Sequence, residues 1–363
     1  MPREAFTPTV TIKYADYYKS FACKCGDCRD TCCHGWKITV TYDEYMRLDS
    51  LRADPSMESE ISKLLEVLET PEHGMYAILR KNEKGSCHML DRNGLCTLHK
   101  KYGADFLPSV CKLYPRSVKM GSCAELVCSA GCEKVCELLI SSPEPFRIIT
   151  VQKDYNGVIP ECYKNAEERD ALREQAISVI SNRSLSFEKR FDKLALLLPG
   201  GKGLSDHGNK TVAELSKRII LLFCETSPAI GKYGRKAMEY LSDGNGNVDM
   251  AKYENAEKLA SNALPHLEQY FEKLLVNHMV YEQYPYTFEE KGEKESGNAL
   301  FAVYALVRFL TVAAVAESTQ ITPASKEAAE KAFVDAASAA YRFTEHTDFY
   351  RNANIIINSH LSS

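Results

Sequence analysis

The chain has 363 residues, 45% of them hydrophobic and 26% charged, with 19 Gly and 14 Pro, a balance that excludes fibrous, collagen-like and wholly disordered chains. A net charge of -4 gives no general attraction for nucleic acid or an acidic membrane, and neither is expected as a partner. Cysteine is the outlier: 12 of the 14 lie between Cys23 and Cys136, and only Cys162 and Cys224 lie beyond, which marks out a specialised N-terminal region.

The opening, MPREAFTPTVTIKYADYY, lacks a positively charged segment followed by an apolar stretch, so no secretory signal is expected and the chain reads as cytoplasmic. In a reducing compartment clustered cysteines read as metal or cluster ligands before they read as disulfides. The first cluster is Cys23, Cys25, Cys28, Cys32 and Cys33, followed by His34, Gly35 and Trp36. Thr41 and Glu44 have the spacing of a capping box that opens a short helix through Tyr45 and Leu48. Over 57–70, Ile61, Leu64, Leu65 and Leu68 fall on one helical stripe before Pro71 and Gly74 break it. A loop-rich stretch from Cys87 to Pro115 carries Cys87, Cys96 and Cys111.

Residues 124–140 read as helix, which places Cys128, Cys132 and Cys136 on one face, suited either to packing or to ligation. Helices are expected over 163–180 and 186–198, separated by Asn182 and Arg183. Thr211 with Glu214 opens another, whose apolar face is Leu215, Ile219, Leu222 and Phe223. The periodic segment 251–284 is expected to bend or break at Pro265. Thr322 and Pro323 have the N-cap and first-turn identities of a final helix running to about Phe343. The apolar run 299–316 is near the lower length of a membrane span but holds Arg308 at its middle, so it reads as a buried helix with no membrane insertion.

Cysteine spacing gives way to helical periodicity near residue 150. The chain is therefore expected to be mainly α, with a cysteine-rich loop-and-helix metal or iron–sulphur region over 1–150 packed with a helical region over 151–363. Thiolates are soft donors for zinc or iron. The adjacent pair Cys32 and Cys33 is awkward for a simple zinc knuckle, and four thiolates drawn from Cys28, Cys32, Cys33, Cys87, Cys96 and Cys111 could hold an iron–sulphur centre. His34 and His99 are more readily hydrogen-bonding or packing residues than ligands, and Trp36 could cover one side of the centre. The cysteine-x3-cysteine-x2-cysteine arrangement of radical chemistry on S-adenosylmethionine is absent, as are a nucleophile elbow and paired metal-protease histidines.

The stretch FACKCGDCRDTCCHGWKITV, through Cys23, Cys28, Cys32, Cys33, Gly35 and Trp36, resembles the opening of the flagellin lysine-N-methylase family, within a wider cysteine-cluster superfamily. Cys87 with Leu90, Cys96 with His99 and Gly103, Leu107-Pro108, Cys111 and Tyr114-Pro115-Arg116 resemble its next block. Cys132 loosely matches a later cysteine, although Glu133 stands where the family has proline, and YFEKLLVNHMVYEQYPY over 270–286 resembles its Asn-containing helix and aromatic-proline segment. Cys25, Cys123, Cys128 and Cys136 are additions to the pattern, with room for a second metal site.

The resemblance implies transfer of a methyl group from S-adenosyl-L-methionine to lysines of flagellin, with a [4Fe-4S] cluster and with zinc as the alternative. The expected ligands are Cys28, Cys32, Cys33, Cys87, Cys96 and Cys111, with Cys23 and Cys132 in reserve. Arg116 is a candidate contact for the cofactor carboxylate or a partner in a structural ion pair, and Tyr102 and Tyr114 are pocket wall or core. A non-enzymatic zinc- or iron–sulphur-binding protein of metal handling or protein interaction accepts the same cysteines.

Overall fold

The computed structural model describes residues 9–154, 165–199, 204–286, 293–321 and 325–361. They form two compact units, Ala22–Tyr114 and the remainder, which joins residues up to Phe21 to those from Pro115 onward. Residue 150 falls inside the larger unit.

In chain order, β1 (Thr9–Ala15) belongs to the larger unit, and the smaller one follows. It consists of β2 (Ile38–Val40), α1 (Tyr42–Asp49), α2 (Glu58–Leu64), β3 (Leu65–Glu72), β4 (Met75–Leu79) and two short helices, α3 (Thr97–Tyr102) and α4 (Ser109–Leu113). The capping box forms as expected: the Thr41 hydroxyl accepts from the Glu44 N–H and the Glu44 carboxylate accepts from the Thr41 N–H. The reading of 57–70 as one helix is corrected. The helix stops at Leu64, and Leu65 turns extended to start β3, the edge of an antiparallel sheet in the order β2-β4-β3. Ladder bonds to β4 decide this conformation over the local helical stripe, and Pro71 is tolerated because it lies on an edge strand, within a register shift between Val67 and Glu72. Ile61, Leu64 and Leu65 still reach the core of this unit, with Ile38, Leu48, Leu79 and Met89.

The larger unit continues with β5 (Arg116–Met120), β6 (Ala124–Cys128), α5 (Glu133–Ile140) and β7 (Ile148–Asp154). Its sheet runs β5-β6-β1-β7, with β1 parallel to β6 and the other pairs antiparallel. The single helix expected over 124–140 is therefore also corrected: Cys128 ends a strand, Cys132 is the N-cap of α5 and Cys136 lies inside α5, so the three share no helical face. Strand β6 is paired on both sides, which overrides the four-residue cysteine spacing.

The helical part comprises α6 (Ala166–Ile180), α7 (Phe187–Leu197), α8 (Asn209–Phe223), α9 (Pro228–Leu241), α10 (Met250–Ala263), α11 (Leu267–Tyr281), α12 (Glu293–Ile321), α13 (Lys326–Glu345) and α14 (Phe349–Leu361). The mainly α expectation holds, and α6 and α7 flank Asn182 and Arg183 as read. The break at Pro265 separates α10 from α11. Helix α8 starts at Asn209, ahead of Thr211, whose hydroxyl donates to Asp206. Thr322 and Pro323 lie outside the described residues; Ser325 caps α13, which is followed by α14 and so is not the last helix. The apolar α12 is long enough to span a membrane, yet 89% of its most apolar window is buried within the protein. Arg308 is accommodated there by Glu257 at 2.9 Å and Glu268 at 2.8 Å.

Candidate metal centre

Backbone contacts bring distant cysteines of the smaller unit together. The Cys87 N–H donates to the Cys33 carbonyl at 2.8 Å, while Cys87 bridges to Lys81 and Cys96 to Leu90. The turn before Cys96 is held by Asp91, whose Oδ1 accepts from the Asn93 N–H at 2.8 Å and the Leu95 N–H at 2.9 Å. Gly94 takes φ +74 in this turn, and Gly26 approaches so closely that a Cβ there would stand 2.6 Å from the Asn93 carbonyl oxygen. The first cysteine loop is thus seated directly on the Asn93–Gly94 turn. Cys96 then sits at the N-cap of α3 and Cys111 inside α4.

These elements surround a cavity of about 190 Å³ lined by Cys32, Cys33, Cys87, Cys96 and Cys111, together with Cys23, Cys25 and His99. The rest of its wall is largely apolar, including Leu48, Leu79, Met89 and Leu98. Trp36 forms one side, its Nε1–H donating to the Cys32 carbonyl at 2.5 Å and its ring lying 5.2 Å from that of Tyr114.

Cys33, Cys87, Cys96 and Cys111 interact electrostatically across this space. Burial, and after it the neighbouring Cys87, Cys33 and Cys96, together push the Cys111 thiol up to about 12. Burial likewise raises Cys87 and Cys96. Cys33 is the exception, lowered to about 6, mainly by a hydrogen bond from Cys32 and also by Thr31 and Lys81. Gathering thiolates in an apolar wall is costly without a cation, and a bound cation reverses the cost by attracting all of them. Among the described residues no three Cys, His, Asp or Glu side chains are gathered tightly enough to hold one ion.

Residues 24–136 match the CxxCxxCC family, whose description is "Putative zinc- or iron-chelating domain". The chain is also 28% identical over 111 residues to "Lysine-N-methylase" of Salmonella typhimurium and equally to that of Salmonella choleraesuis, an alignment covering 30% of this chain and 27% of each relative. It is 27% identical over 111 residues to "Flagellar biosynthetic protein FliU" of Salmonella muenchen, covering 30% of this chain and 63% of that protein. No solved structure matches the chain.

The likeness to lysine-N-methylases read from the cysteine blocks is supported by these matches, and the aligned part spans about a quarter of the length of the two relatives bearing that name.

Within the smaller unit, five of the six expected ligands line the cavity, and Cys28 does not. Cys25, set aside as an addition, does line it, and with Cys28 it supplies a Cys-x2-Cys spacing. His34 is held by its Nε2 contact with the Lys84 carbonyl at 2.9 Å, whereas His99 faces the cavity. The Tyr102 hydroxyl donates to Asp54, and Tyr114 is cavity wall.

The remaining candidates lie in the larger unit. Arg116 donates from Nη2 to the Phe21 carbonyl at 2.9 Å and lies over the Phe21 ring at 4.7 Å. Cys128 and Cys136 are buried, and Cys136 Sγ donates to the Ala130 carbonyl at 3.0 Å. Asn277, from the late family-like block, has a structural task that sequence reasoning had not assigned: its Nδ2 donates to the Cys128 carbonyl at 3.0 Å, and its Oδ1 accepts from the Tyr17 hydroxyl at 2.5 Å.

Proposed function

We propose that this chain is a protein-lysine N-methyltransferase whose CxxCxxCC domain carries an iron–sulphur centre, with Cys33, Cys87, Cys96 and Cys111 as its ligands and Cys32 beside them. The observation that supports the ligand set is the convergence of those thiols, from three separate segments of chain, on one apolar cavity. When bound, the centre supplies positive charge and cross-links the loops. Trp36 and Tyr114 limit the access of water to it. Cys23 and Cys25 are exposed donors on the same cavity, available to a larger or rearranged centre.

The methyl-transfer reading draws on the relatives named "Lysine-N-methylase" and "Flagellar biosynthetic protein FliU". S-adenosyl-L-methionine is the proposed methyl donor and flagellin the proposed protein substrate. In such a reaction the lysine ammonium first gives a proton to a base. The nitrogen lone pair then attacks the methyl carbon in line as the carbon–sulphur bond breaks, leaving the thioether S-adenosylhomocysteine.

The test combines iron, sulphide and zinc analysis of anaerobically purified protein with intact-mass spectrometry of flagellin after incubation with that protein and S-adenosyl-L-methionine. Iron and sulphide in the protein and cofactor-dependent methyl additions on flagellin lysines are expected. A stable metal content with no transfer to any lysine leaves a metal-binding protein without this chemistry, and zinc alone overturns the iron–sulphur assignment.

A further inference from the structure

We propose that Cys23 and Cys25 form a reversible oxidation site, a solvent-facing dithiol on the cysteine-lined cavity that a hydroperoxide converts to a disulfide while the inner thiols keep their metal. The pair lies outside the ligand set assigned above, and its oxidation does not depend on methyl transfer.

Exposure sets the pair apart. Among the described residues Cys23 and Cys25 are the only exposed cysteines. On the same cavity Cys32, Cys33, Cys96 and Cys111 are half-buried and Cys87 is buried. An oxidant arriving from solvent therefore meets these two sulphurs first.

The backbone holds the two side chains against each other. Cys25 takes φ +54, in the left-handed region that residues other than glycine, asparagine and aspartate rarely enter. There its N–H donates to Cys23 Sγ at 3.3 Å, its own Sγ lies 3.9 Å from the Cys23 carbonyl oxygen, and its thiol is hydrogen-bonded to that of Cys23. The residues that follow fix this turn. Gly26 packs on the Asn93 carbonyl, and the Asp27 N–H donates to the Lys24 carbonyl at 3.1 Å. Backbone of this kind persists only where its surroundings impose it, and two unrelated surface thiols would not require it.

The same contacts divide the roles. Cys23 Sγ accepts from Cys25 and takes the part of the nucleophile, while Cys25 is the resolving thiol. In keeping with this, the charge on Cys23 is the main cause that raises the Cys25 thiol above its ordinary value, ahead of burial and the hydrogen bond between them.

In the first step the Cys23 thiolate attacks the terminal oxygen of the hydroperoxide. The O–O bond breaks, Cys23 becomes a sulphenic acid, and the leaving alkoxide takes a proton to give the alcohol. In the second step the Cys25 sulphur gives up its proton and attacks Cys23 Sγ, so that the S–S bond forms, the S–O bond breaks and water leaves. Each sulphur loses one electron overall and the peroxide gains both; a dithiol reductant reverses the change.

The test treats anaerobically purified, metal-loaded, full-length protein with one equivalent of hydrogen peroxide, alkylates the remaining thiols and digests with trypsin. Lys24 stands between the two cysteines, so trypsin parts residues 20–24 from 25–29 and only a disulfide keeps them joined. Joined peptides are expected in the wild type and equally in Cys28→Ser, reversed by dithiothreitol, with metal content unchanged. Cys25→Ser should instead stop at a sulphenic acid on Cys23, captured by dimedone, and Cys23→Ser should slow oxidation at Cys25 at least about tenfold. Thiols of Cys23 and Cys25 that resist peroxide and alkylation until the metal is chelated are ligands of the centre, and that result overturns the proposal. So does joining that requires Cys28, or loss of metal before the peptides join.

Discussion

The buried cluster of the larger unit is rich in rings: Tyr253, Phe271, Phe301, Phe309, Phe333 and Tyr341 are almost fully enclosed, and α12 is buried along most of its length. The buried cluster of the smaller unit contains aliphatic side chains, methionines and Cys87, while Trp36, Tyr45, Tyr76 and Phe106 are only partly covered. One unit fills its interior with its own side chains, and the other surrounds a cavity with thiols. Aromatic burial contributes a large apolar area per residue, and a small domain lacking it commonly depends on a metal or cross-link. The contrast predicts that metal binding contributes to folding in the smaller unit and is dispensable in the larger one.

The largest expected effect follows from removing a cavity-facing thiol. Cys87→Ser and Cys111→Ser should abolish iron and sulphide incorporation, whereas Cys28→Ser should retain both, because Cys28 does not line the cavity. Metal analysis of the three anaerobically purified variants checks this, and full loading of the first two would break the assignment. Metal removal is the companion test. Trp36 is the single tryptophan and stands in the cavity wall, so its emission reports on the smaller unit alone. Chelation should shift that emission toward the solvent-exposed value with little loss of far-ultraviolet helical signal. A parallel collapse of both signals would erase the contrast.

A change confined to the larger unit should behave in the opposite way. Arg173 is buried and donates to Glu125 at 2.7 Å and to Asp170 at 3.1 Å. Arg173→Met leaves buried carboxylates without their cation and should cost about 3–5 kcal/mol. Denaturant unfolding followed by circular dichroism should show the loss, with Trp36 emission in the native state unmoved.

A pH effect should also be confined there. Burial pushes the Glu282 carboxyl up to about 7; His278 and Lys119 oppose the shift and Glu345 adds to it. Between its ordinary value of 4.5 and about 7 the native state holds a proton that the unfolded state has released. The stability contributed by Glu282 is therefore complete at lower pH, falls as pH rises through this window and levels off above it. Glu282→Gln should flatten that part of the profile, measured as urea midpoints at about pH 5 and about pH 8. An unchanged slope would assign it to other groups.

Legibility followed the range of the controlling interaction. The Thr41–Glu44 capping box, the break at Pro265 and the buried character of α12 are local patterns, and all were readable. Strands β3 and β6 were read as helix because their cues, Leu64 with Leu65 and the spacing of Cys128 from Cys132, are local, while the ladders that decide them join distant segments. The site divided in the same way. Cysteine density pointed to the correct segments, but the Cys87 N–H bond to the Cys33 carbonyl and the contact of Gly26 with Asn93 select which thiols share a cavity. No spacing rule places Cys28 outside that wall and Cys25 on it.

The smallest expected effect sharpens the contrast from the side of the smaller unit. Thr41 accepts from the Glu44 N–H at 3.2 Å, and Glu44 also accepts from the Ser109 N–H at 2.6 Å, thereby joining α1 to the start of the helix that carries Cys111. Thr41→Ala removes one cap bond and should destabilise this unit by about 1 kcal/mol. If metal binding contributes to folding there, the same loss should appear as weaker metal retention under chelator challenge, since a centre that binds only the folded unit is linked to its stability. Competition with a graded chelator measures it. Unchanged metal retention in a measurably destabilised variant would uncouple the site from the fold and place the cavity among preformed pockets.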